Sequence, residues 1–139
     1  MVLAHMRRVE QNCNIIALKM LDTNEEFACQ LAKRGRTHDI SKLNNFEWEH
    51  LWSWDDKFAD ALKSHRYYNS HHLEYWSNDP SKIGDLDVAE MVCDCAARAT
   101  EFGTDLRNWF ERPEYKHLKA RIDYYVDLLL QKPFVYPKV

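Results

Sequence analysis

Glycine and proline are scarce in this chain, with three Gly and four Pro in 139 residues. Few breakers together with long amphipathic runs favour helices over sheets. No run with period-two alternation marks a strand. The four cysteines, Cys13, Cys29, Cys93 and Cys95, include no C-x-x-C pair. Without a secretion signal they are expected as reduced, core-filling thiols. Charge of one sign is also lacking: the net charge is −3, so no basic field marks the chain for nucleic acid or an anionic membrane. No apolar run reaches the roughly 18 residues of a spanning helix. The opening "MVLAHMRRVEQN" has no apolar centre of a secretory leader, and a cytoplasmic location is expected.

What is present reads as one domain over residues 1–139, an all-α compact bundle of about six or seven helices. A first helix is predicted from about Leu3 to Leu21, with Met6, Val9, Cys13, Ile16, Ala17 and Met20 at three- and four-residue steps. Thr23 to Glu26 reads as a capping box that starts a second helix, and Gly35 as the residue that ends it. Further helices are expected on "FEWEHLWSW" and "KFADALKSHRYY". From Asp85 or Asp87, "VAEMVCDCAARATEF" reads as a helix that ends at Gly103. Thr104 or Asp105 caps "LRNWFER", and Pro113 interrupts it. A last helix runs from about Glu114 to Gln131, with Leu118, Ile122, Val126 and Leu129 on one stripe.

Histidine is the unusual component. His38, His65, His71 and His72 fall close together in the sequence with acids nearby, while His5 lies far upstream. Imidazole and carboxylate are the donors that suit divalent Mn, Co, Ni, Zn or Fe. His38 and Asp39 cannot share a regular helix face, but at a helix end both can aim at one ion. Asp87, Glu90 and Asp94 share a face of a helix whose surroundings are apolar. A buried carboxylate at Asp94 needs a partner or a metal. The alternative is a solvent-facing Asp94, or one paired with Arg98. His50 and His117 read as surface residues.

An early His, then His-Asp, then a late Asp on a helix resembles the HD-domain superfamily of metal-dependent phosphohydrolases. The carriers are His5, "HDISK" from His38 to Lys42, and Asp94. The "HDISK" run is similar to the H-D-x-[GS]-K segment of that superfamily. "SHRYYNSHHLEYW", from Ser64 to Trp76, resembles the downstream histidines of members that bind two metals. The likeness covers about residues 1–103, and extends to small phage and bacterial proteins that share HD-x-S-K and H-H-x-E-Y-W.

The resemblance implies an HD-like fold and one or two divalent transition-metal ions. His5, His38, Asp39 and Asp94 would be ligands. Two of His65, His71 and His72 would hold a second ion with Asp39 bridging; with one ion, they would bind phosphate or act as general acid. His71 and His72 are neighbours, so one of them is expected to face the site. Lys42 and Arg66 would neutralise phosphate oxygens. Glu74 and Glu90 would orient a ligand or stand near the phosphate. Tyr67, Tyr68, Tyr75 and Trp76 would either stack a base or pack in the core.

The expected activity is metal-dependent hydrolysis of a nucleotide or another small phosphate ester. One alternative is a di-iron oxygenase on the same scaffold, and another a non-catalytic, metal-stabilised interaction module. The G-Y-P signature of cyclic-dinucleotide phosphodiesterases is absent, which speaks against that substrate class. Homodimerisation stays open.

Overall fold

A computed structural model of the chain describes residues 2–38, 59–60, 69–76 and 82–131, except for the side chains of Val2 and Glu74. Five α-helices are bounded among them: α1 (Val2–Met20), α2 (Glu25–Arg36), α3 (Asp85–Phe102), α4 (Leu106–Trp109) and α5 (Lys119–Leu130). Two 3-10 segments, Leu73–Trp76 and Pro113–Leu118, complete the set. No strand occurs among the described residues, as expected for an all-α chain. Five helices stand here rather than six or seven; the one expected on "FEWEHLWSW" lies outside the described residues, and of "KFADALKSHRYY" only Ala59 and Asp60 are described, both helical.

α3 is the central element. It packs against α1, α2 and α5, and it is buried on most of its circumference, from Asp87 through Ala99. Small residues make this feasible: Ala89, Cys93, Ala96, Ala97 and Ala99 let neighbouring helices approach. α1 contributes Val9, Cys13, Ile16, Ala17 and Met20 to the core, α2 contributes Ala28 and Leu31, and α5 contributes Ile122, Tyr125 and Val126.

Two of these stripes run on into histidine. His5 lies one turn before Val9 and two before Cys13, and His38 follows the buried series Ala28, Leu31, Gly35 at the same three- and four-residue steps. Both rings are buried; helical geometry carries His5 to the side of the core residues, and His38 follows directly after Thr37, the cap of α2.

Several helix ends differ from the sequence expectation. Asn24, not Thr23, caps α2: its side chain accepts from the Phe27 amide at 3.1 Å. The Thr23 hydroxyl instead donates to the Met20 carbonyl, closing the end of α1. Gly35 does not end α2 but lies buried inside it, against α1. A Cβ there would sit 2.7 Å from the Cys13 Cβ and 3.2 Å from the Glu10 Cα, so this glycine sets the α1–α2 approach. Gly84 precedes α3 with no side-chain cap. The start of α3 at Asp85 is the one the sequence suggests; the Asp85 carboxylate is engaged by Arg121 and that of Asp87 by Arg34.

Gly103, at φ 64°, ends α3 in the left-handed conformation, and Asp105 caps α4 through the Arg107 amide. The last helix starts later than expected, at Lys119, because Pro113 opens a 3-10 segment first. Lys19 closes its far end, donating to the carbonyls of Leu128 and Gln131 at 2.5 and 2.6 Å. Cys13 and Cys93 are buried and Cys95 half-buried, but Cys29 is exposed, contrary to a core-filling role. No helix among the described residues is long and apolar enough to cross a membrane.

Candidate metal centre

The acidic face predicted on α3 is real and faces inward: Asp87, Glu90 and Asp94 are all buried. His5 comes from α1, His38 from just beyond α2, and His71 and His72 from the turn ahead of the first 3-10 segment. Four imidazoles therefore meet one helix.

Their Nε2 atoms gather around a single carboxylate. His5 Nε2 lies 2.7 Å and His38 Nε2 3.6 Å from Asp94 Oδ1. On the other oxygen, His71 Nε2 lies 3.3 Å and His72 Nε2 3.9 Å from Asp94 Oδ2. Both histidines of the pair thus turn to Asp94, where adjacency in sequence suggested only one. The turn at His71 breaks helical geometry, and the two rings lie with centroids 4.1 Å apart. His5, His38 and His71 are each at most 2% exposed, whereas the His72 side chain is 22% exposed.

The opposite ring nitrogens are held by other acids. His5 Nδ1 meets Glu101 Oε1 at 2.8 Å. Glu90 Oε2 takes two rings at once, His38 Nδ1 at 2.8 Å and His71 Nδ1 at 2.6 Å. Behind Glu90, Arg34 Nε approaches Oε1 at 3.3 Å. The Arg34 guanidinium also pairs with Asp87 and donates to Ser70 Oγ, and Ser70 Oγ donates to Asp87 Oδ1 at 2.6 Å.

The electrostatics follow from this crowding. Burial pushes the Asp94 carboxyl up, but the charge and hydrogen bond of His38, with hydrogen bonds from His5 and His71, outweigh it and hold it well below the usual range. Burial likewise opposes ionisation of Glu90, and the hydrogen bonds from His38 and His71 bring it down to about 2. Glu101 is also lowered, by His5 and Arg98 against the cost of burial. A buried carboxylate that favours its ionised form among imidazoles attracts a cation, whether a proton on the rings or a metal between them.

The distances fit a metal. Ligands bound at roughly 2.0–2.1 Å to one ion lie at most about 4.2 Å apart, and every Nε2–Asp94 separation above falls within that limit. Three groups bring their ligand atoms within 4.8 Å of one another: His5, His38 and Asp94; His38, His71 and Glu90; His71, His72 and Asp94. These buried donors can hold a cation, and the first and third groups share Asp94.

The sequence reading named His5, His38, Asp94, Glu90, His71 and His72, and all six come together. Asp39, Lys42, His50, His65, Arg66, Tyr67 and Tyr68, and the Glu74 side chain, lie outside the described residues. Asp94 does not pair with Arg98, whose guanidinium meets Glu101 at 3.0 Å. Trp76 packs partly against the core, and its indole N–H donates to the Ser70 carbonyl at 2.8 Å, bracing the turn that carries His71. Tyr75 and His117 are exposed. Glu101 was missed, although it lies seven residues, two helical turns, beyond Asp94 on the same face.

No curated protein and no solved structure matches the chain. One family does, over residues 46–132, a stretch that contains His71, His72, Glu90, Asp94 and Glu101 but neither His5 nor His38. That stretch is well over half of the 139 residues, and the chain belongs to this family, DUF5662, a family of unknown function.

Proposed function

We propose that the chain is an HD-like, metal-dependent phosphohydrolase acting on a nucleotide or another small phosphate ester. The observation that carries this reading is the convergence of four imidazole Nε2 atoms, from three separate segments, on the buried Asp94 carboxylate. His5, His38 and Asp94 would hold the ion, with Asp39 as the neighbouring donor. A divalent Mn, Co, Ni, Zn or Fe ion bound there lowers the pKa of a bound water and polarises a phosphoryl oxygen.

The chain's own groups divide the remaining work. His71, buried between Glu90 and Asp94, is placed to hold rather than to exchange protons with substrate. His72 is the most exposed of the four rings and stands at the edge, where it can donate to a phosphate oxygen or a leaving group. Lys42, His65 and Arg66 would supply charge to the phosphate in this reading.

The test is to strip the protein with chelator, restore Mn, Co or Ni, and screen nucleoside mono- and triphosphates. Metal-dependent release of phosphate, abolished in Asp94→Asn, is the expected result. Inactivity with every metal in a filled site would contradict it. The sharing of Asp94 by two candidate groups supplies the two-ion arrangement that a second reading, a di-iron oxygenase on the same scaffold, would require. Anaerobic purification with metal analysis and electron paramagnetic resonance separates the two, since protein that takes up no iron cannot be the oxygenase.

A further inference from the structure

Glu90 offers the same donor type as Asp94, and the two lie one turn apart on α3, yet their surroundings differ. Asp94 is paired only with imidazoles among the described residues. Glu90 has its Oε2 occupied by two ring nitrogens and its Oε1 facing the Arg34 guanidinium at 3.3 Å. A fixed positive charge beside a carboxylate opposes a metal ion there. His38, His71 and Glu90 therefore form the poorer cation site, even though their ligand atoms also lie within 4.8 Å.

The geometry assigns Glu90 as a positioning residue: one carboxylate oxygen keeps the proton of both His38 and His71 on Nδ1, which turns both Nε2 atoms toward the cation site at Asp94. An imidazole protonated at Nδ1 has its lone pair on Nε2. Carboxylates that hold the far nitrogen of a ligand histidine fix its tautomer and orientation. Here one such acid serves two rings from different segments, so it also couples the end of α2 to the His71 turn. Arg34, Asp87 and Ser70 brace that acid from behind, and Ser70 directly precedes His71. The assignment rests on the metal reading above, and its test separates the two.

Protein labelled with ¹⁵N in histidine is stripped by chelator and reloaded with Zn(II), which leaves the rings observable by long-range ¹H–¹⁵N correlation. In the wild type, His38 and His71 are expected to carry the proton on Nδ1 and the metal on the Nε2 side. Glu90→Gln is expected to bind zinc about 10- to 100-fold more weakly, with the Nδ1–H signals shifted and the helical circular dichroism retained. Zinc on Nδ1 of either ring would overturn the assignment and make Glu90 a ligand instead. Unchanged affinity and unchanged ring signals in Glu90→Gln would overturn it too. Should that variant fail to fold, the wild-type ring signals decide alone. A wild type that takes up no zinc would overturn the metal reading, and this assignment with it.

Discussion

At the scale of the residue, the governing fact is a buried carboxylate ringed by imidazoles. Asp94 is tolerable in the interior only while the rings carry protons or a cation lies among them. Glu101 acts on this arrangement from the side, through His5 Nδ1 at 2.8 Å. Glu101→Gln is expected to lower affinity for Co or Zn by about 10- to 100-fold without unfolding the chain, read by calorimetric titration. The acids also set a pH dependence for the metal-free protein. Glu90 has its folded pKa held at about 2 against an ordinary 4.5, so between those values the unfolded chain binds more protons than the folded one. Stability is then fully present above about 4.5 and is lost as pH falls toward 2. Urea midpoints of chelated protein, taken across that window, should decline with pH, and more shallowly in Glu90→Gln.

Elements are held by a few close fits. Gly35 is one of them, because α1 leaves no room for a side chain. Gly35→Ala should cost about 1–3 kcal/mol despite the better helix propensity of alanine, measured by denaturant unfolding. Asn24→Ala removes the α2 cap and should cost about 0.5–2 kcal/mol, while Thr23→Ala should cost less. The helices themselves were legible from apolar spacing, and the stop at Gly103 and the cap at Asp105 from turn chemistry. The cap of α2 was misplaced by one residue because the Thr23 hydroxyl has a local alternative in the Met20 carbonyl. The start of α3 at Asp85 was legible too, but its partner Arg121, and the Arg34 that meets Asp87, come from distant elements that no local pattern reveals. Gly35 misled for a similar reason: a glycine near a helix end reads as a stop unless the neighbouring helix is known to press on it.

On the scale of the whole molecule, the cluster is the junction where α1, the end of α2, the His71 turn and α3 meet. Its composition was readable in part. His5 and His38 continue the apolar stripes of their helices, and Asp94 sits among apolar neighbours, so each stood out against its pattern. Which acid receives which ring nitrogen was not readable, because it depends on how three segments dock. A cation at this junction links them, so metal should stabilise the fold as well as any chemistry. At a free metal concentration 100 times Kd the gain is about 2.7 kcal/mol, and thermal unfolding should shift upward with Mn, Co or Zn and return with chelator. The most direct test of the central claim is a calorimetric titration of chelated wild type and Asp94→Asn with Co(II), both checked for helical content. Uptake of one or two ions by the wild type and none by the variant is the predicted result. Equal uptake by both proteins, or none by the wild type, would contradict it.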